Sequence, residues 1–221
     1  MQLKPQDVLV AFKLVTLAGQ RWTYASIANV LGMSASETHA CVKRGLQSGL
    51  LQSNPVWPAP GAPENELQEP AAVYRVRARP RRPGPVAAAR LMASETTPVL
   101  DDNPARVHGP NLIEFAVHGA RYAFPAQRLP TSAGVPTARS WPAAARWLPP
   151  GEDAWVWPHP QGVANGQGIE PLHAGVPYAA TQDPALHEML ALFDALRLGG
   201  AEDRQKAADR LSELIRIGSS Q

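Results

Sequence analysis

Hydrophobic residues recur at spacings of three and four through residues 4–18, where Val8, Leu9, Ala11, Phe12, Leu14, Val15 and Leu17 draw a broad stripe. The spacing predicts an opening helix that Gly19 ends. A second helix is predicted after Thr23, which can cap it, with Ile27, Ala28 and Leu31 inward and Gly32 at the left-handed C-terminal position. Ser34 and Glu37 stand at capping-box spacing and open a third helix. Its inward positions are Thr38, Cys41, Val42 and either Gly45 or Leu46, which leaves Ala35, Ser36, His39, Ala40, Lys43 and Arg44 outside. Gly49 ends that helix and Leu50-Leu51 starts a strand.

Further along, the pattern switches to a period of two. In Val73–Arg79, Tyr74, Val76 and Ala78 share one face and Arg75, Arg77 and Arg79 the other, which predicts a return strand with a basic face. Leu112–His118 alternates with Ile113, Phe115 and Val117 on one side; Gly119-Ala120 turns and Arg121–Phe124 returns, so a β-hairpin is predicted. Another short strand is expected at Trp155–Trp157, and Trp141, Trp147, Trp155 and Trp157 are expected to fill a core rather than line a pocket. Near the C-terminus, Asp183 can cap a helix whose Leu186, Met189, Leu190, Phe193 and Leu196 form one stripe. Gly199-Gly200 breaks it, and Ala207, Leu211, Leu214 and Ile215 mark a second, antiparallel helix.

The segment Thr-Tyr-Ala-Ser-Ile-Ala-Asn-Val-Leu-Gly-Met-Ser, followed by Ser-Glu-Thr-His-Ala-Cys-Val-Lys-Arg and Gly-Leu-Leu, resembles the winged helix-turn-helix of MarR-type and related bacterial regulators. The resemblance covers residues 5–79. It implies base contacts from the third helix and backbone contacts from the wing, which map here onto Ser36, His39, Lys43 and Arg44, then Arg75 and Arg77, with Arg79 on the same strand face. Small residues before basic ones suit a helix whose start enters a major groove while Lys and Arg reach bases or phosphates. The chain departs from the pattern at a long wing loop, Gln52–Pro70, rich in proline and glutamate, and at Gly45, where such helices bury leucine and where looser packing is expected.

Charge agrees with that reading. Residues 1–94 carry 11 Lys+Arg against 5 Asp+Glu and the remainder 10 against 14, so a net +2 conceals a basic front half suited to a polyanion. One cysteine excludes an intrachain disulfide framework, the N-terminus lacks a signal-peptide pattern, and Asp7, Lys13 and Gln20 interrupt the most apolar stretch, so a soluble, cytoplasmic protein without membrane contact is expected.

Catalytic patterns are wanting. The six histidines show no His-x-x-x-His spacing, so no metal site and no cofactor are expected. Gly162–Gly168 lacks the Gly-Lys-Ser/Thr ending of a phosphate loop and reads as a surface turn. Glu170 with His173 is too common a pairing to indicate acid–base catalysis.

The expectation is therefore an α+β protein. Residues 1–79 form a winged helix DNA-binding domain, and residues 80–111 a linker with a short helix. Residues 112–221 form a small β-hairpin-containing domain closed by two helices, which takes a partner protein or small-molecule effector or makes a homodimer. The function expected is a dimeric repressor that binds double-stranded DNA and is not an enzyme; the alternative is an antitoxin-like or defence-associated DNA-binding protein that neutralises a partner protein.

Overall fold

The computed structural model describes residues 2–54, 103–148 and 154–220. They form a mixed α+β fold. Met1–Ser53 and Ala105–Gln221 belong to one compact unit and Asn54–Pro104 to another, almost all of which lies outside the described residues. The return strand expected at Val73–Arg79 and the short helix expected within residues 80–111 lie outside them too.

The first unit is built on α1 (Pro5–Thr16). Pro5 sits where a helix has no amide to lose, and Asp7 accepts from the Lys4 amide at 2.8 Å. The helix is buried on nearly every side: Val8 to Phe12, Leu14 and Val15 are at most 6% exposed, and Asp7 and Lys13 are buried with them. α2 (Tyr24–Leu31) is capped reciprocally by Thr23 and Ser26, and Gly32 follows with φ 65°. α3 (Ala35–Gln47) begins at Ser34, whose Oγ accepts from the Glu37 amide at 3.1 Å. Glu37 does not complete a capping box; its side chain accepts from Gln6 Nε2 at 3.3 Å.

Strand β1 (Leu51–Ser53) pairs antiparallel with β2 (Ala105–Val107), Ser53 facing Ala105. Residues 105–111 are thus part of the first unit's framework rather than of a linker.

The hairpin expected over Leu112–Phe124 is not formed. The segment is helical: α4 (Gly109–Glu114), a π-helical turn (Phe115–Gly119) and α5 (Ala120–Ala123). His108 Nδ1 accepts from the Asn111 amide at 3.3 Å and Pro110 occupies the first turn. The buried residues are Leu112, Ala116 and Ala120, four apart, whereas the alternating Ile113, Phe115 and Val117 are only half-buried. Small alanines carried the helical period and the larger residues between them mimicked a strand.

Instead, β structure lies in β3 (Arg128–Pro136), β4 (Trp155–Pro158) and β5 (Ala164–Ile169). β3 pairs antiparallel with both others, β4 runs parallel to β5, and the three close on one another. Gly162–Gly168 is therefore mostly strand rather than surface turn; a Cβ at Gly166 would strike the Ala154 backbone and one at Gly168 the Pro130 carbonyl. Trp155 and Trp157 are buried, as expected of core residues.

α6 (Val176–Gln182) precedes α7 (Pro184–Leu198) and α8 (Ala201–Ser219). Asp183 Oδ1 caps α7 through the amides of Ala185 and Leu186, at 3.0 and 3.1 Å. Its other oxygen accepts from Lys13 Nζ at 2.8 Å and Thr16 Oγ1 at 3.2 Å, which joins α7 to α1. Burial alone would raise the Asp183 pKa, but Lys13, the Leu186 amide and Thr16 bring it below the ordinary carboxylate range.

The stripe Leu186, Met189, Leu190, Phe193 and Leu196 is at most 3% exposed, and Phe193 meets Phe12 edge-on at 5.3 Å. It lies inside this chain's own core and is not available to a second copy of the chain. One core runs from α1 to the closing helices, so the division into residues 1–79 and 112–221 is not observed.

Candidate nucleic-acid interface

α2 and α3 are joined by Gly32, Met33 and Ser34, and Gly32 supplies the left-handed residue that lets the chain turn sharply. α3 rests on the core through Thr38, Cys41, Val42 and Gly45, all buried. Gly45 is a close approach, not a loose spot: a Cβ there would lie 2.7 Å from Leu51 Cδ1. Glycine lets β1 begin directly against α3.

The opposite face of α3 carries Ser36, Lys43 and Gln47, all exposed, with half-buried Ala40 between them. Positions 36, 40, 43 and 47 are successive steps of four, three and four, so they form one straight stripe. Lys43 makes no ion pair among the described residues. Gln47 belongs to this stripe beyond the residues expected of it from the sequence; its signal is the spacing of four from Lys43.

His39 lies on the flank toward α2, where its ring meets Tyr24 edge-on at 5.0 Å. Arg44 is not on the outward face at all. Its Nε donates to Asp7 at 2.9 Å and its Nη2 at 2.6 Å, and the Asp7 side chain is fully buried. This hydrogen bond holds the guanidinium pKa further above its ordinary value. The expectation that Arg44 is available to a ligand is corrected: a buried carboxylate without a partner is costly, and Arg44 is the side chain that reaches it.

Arg44 Nη2 also approaches Cys41 Sγ at 3.3 Å, yet burial and then the neighbouring Asp7 push the Cys41 thiol up to about 12. The thiolate, which is the reactive form, is therefore suppressed.

Beyond α3, the β1–β2 ladder places Arg106 opposite Gln52 with its side chain exposed, between buried Ala105 and Val107. The Ala-Arg-Val alternation was present in the sequence, but three residues are too short a run to stand out. Arg75, Arg77 and Arg79 lie outside the described residues.

Among the described residues no three His, Cys, Asp or Glu gather as metal ligands, and no helix is long and apolar enough to cross a membrane. His173 Nδ1 accepts from the Gly175 amide at 3.1 Å, a local turn contact. No protein-family model, curated protein or solved structure matches the sequence.

Proposed function

We propose that this protein binds double-stranded DNA sequence-specifically through α3 and acts as a transcriptional regulator, most simply a repressor. One observation carries the reading: α3 is anchored on three sides, and its remaining side is a straight exposed stripe of Ser36, Ala40, Lys43 and Gln47 with small residues toward its start. Small and hydroxylic side chains let the helix approach base edges in a major groove, while Lys43 and Gln47 have the length to reach bases or phosphates. Ser36 and His39 set sequence preference, His39 from the flank.

In this reading Arg106 stands on the exposed side of the β1–β2 ladder. Arg106 and the arginines Arg75, Arg77 and Arg79, which the chain carries between the two strands, neutralise backbone phosphates. Arg44 has no part in those contacts.

A single recognition helix spans only a few base pairs, so the proposal retains a homodimer on two half-sites. With the α7 stripe internal, the two-fold surface is another one. An effector or partner protein stays assigned to the C-terminal part; a groove beside the end of α3 is shared between that part, through Phe115 and His118, and the N-terminal Ser48 and Leu50.

Selection of bound fragments from a random duplex library tests the proposal. The expected result is an enriched palindromic site whose affinity falls steeply with salt. Recovery of unenriched sequence at every round refutes sequence-specific binding.

A further inference from the structure

The stripe on α3 is bordered on both flanks by side chains that tie the helix down. Successive residues turn about 100° around a helix, so Glu37, Cys41 and Arg44 share the flank toward α1, and His39 falls on the flank toward α2. On the first flank Gln6 donates to Glu37 at 3.3 Å, and the Arg44 fork engages both oxygens of Asp7. On the second, the His39 ring stands at 86° to that of Tyr24. Between the flanks, Val42 packs against the core by apolar contact, which has no preferred direction. A two-toothed bond from a planar guanidinium to a buried carboxylate is directional.

We infer that Arg44 is a positioning residue: with Asp7 it fixes the roll of α3 about its own axis, so that Ser36, Lys43 and Gln47 face outward, and it makes no nucleic-acid contact of its own. The functional consequence rests on the DNA-binding reading above; the roll itself does not.

The test uses full-length protein with two paired replacements that leave no lone buried charge, Asp7→Asn with Arg44→Gln and Asp7→Leu with Arg44→Met. In each folded pair, the nuclear Overhauser contact between the Tyr24 and His39 rings should weaken while the amides of Thr38 and Cys41 stay protected. An unchanged ring contact in both pairs overturns the inference. On DNA, the paired variants should keep the wild-type salt dependence but lose about tenfold in discrimination between the enriched and a scrambled duplex, roughly what one base contact supplies. A drop of about 0.9 in the log-log salt slope would mark Arg44 as a phosphate contact and also overturn it. If the wild-type protein binds no duplex, the DNA reading fails alone and the ring contact still decides the roll. Should both pairs fail to fold, Arg44→Lys, which keeps the charge and loses the fork, is read in the same two ways.

Discussion

The polar cluster around Asp194 and the outer face of α3 use similar residue types toward opposite ends. Asp194 is 1% exposed; its Oδ2 accepts from Thr137 at 3.0 Å and from Trp157 Nε1 at 2.6 Å, and its Oδ1 from Arg197 at 2.8 Å. Arg197 donates again, to the Phe124 carbonyl at 2.8 Å. Close by, His187 Nε2 donates to the Pro136 carbonyl at 2.7 Å, with its ring between Trp141 and Trp157. Each of these groups is committed to another part of the chain. On α3, Ser36, Lys43 and Gln47 are exposed and commit to nothing among the described residues. Buried perturbed groups are a common mark of catalysis, but the partners of Asp194, Arg197 and His187 among the described residues all belong to the fold. The lesson is to look for function where polar groups remain unengaged.

The largest effect is expected at Asp194. Asp194→Ala strands Arg197, whose side chain is 2% exposed, and removes the acceptor of Thr137 and Trp157. Loss of one member of such a pair should destabilise by about 3–5 kcal/mol, measured by urea unfolding, while the binding of duplex DNA proposed above is unchanged in the folded fraction. A stable variant that had lost DNA binding would place function in the wrong region.

Gly45→Ala should come next. Alanine gains up to about 1 kcal/mol of helix propensity, but its Cβ meets Leu51, and overpacking costs about 1–3 kcal/mol. A net loss in urea midpoint is expected, and a gain would show that β1 can retreat.

A smaller effect is set by pH at His187. Burial holds its pKa below the ordinary 6.5, against the opposing pull of the Pro136 carbonyl. Below pH 6.5 the unfolded chain therefore binds more protons than the folded one, and stability falls as pH drops through that value toward the lower folded pKa. One such group contributes at most about 1.4 kcal/mol per pH unit. Thermal melts from pH 7 downward should show that slope, and His187→Gln should lack it; identical slopes in both proteins would assign the dependence elsewhere.

Smallest in stability is Lys43→Ala, expected within about 0.5 kcal/mol of wild type because the side chain is exposed. Its effect belongs to binding, where the log-log salt slope should fall by about 0.9. An unchanged slope would remove Lys43 from the interface and sharpen the question of what α3 presents.

Much of the α3 site was legible in the chain. Thr23, Ser34, Gly32 and Gly49 fix helix ends by local chemistry, and Thr38, Cys41, Val42 and Gly45 fix the buried face by period alone. Gln47 and Arg106 could have been found by extending the same period and the same alternation. Arg44 could not, because its role depends on Asp7, 37 positions away in sequence.

By itself the sequence determined α1, α2, α3, α7 and α8 and the caps at Thr23, Ser34 and Asp183, since these follow from interactions spanning three or four residues. Tertiary structure alone decided the rest: that Leu112–Phe124 coils rather than pairs, that β1 takes Ala105–Val107 as partner, that the α7 stripe covers α1, and that Arg44 turns inward. In each of these the local pattern admitted two conformations or two partners. The choice was set by which face the rest of the chain could cover and by leaving no buried charge unpaired, and both are properties of distant residues brought together.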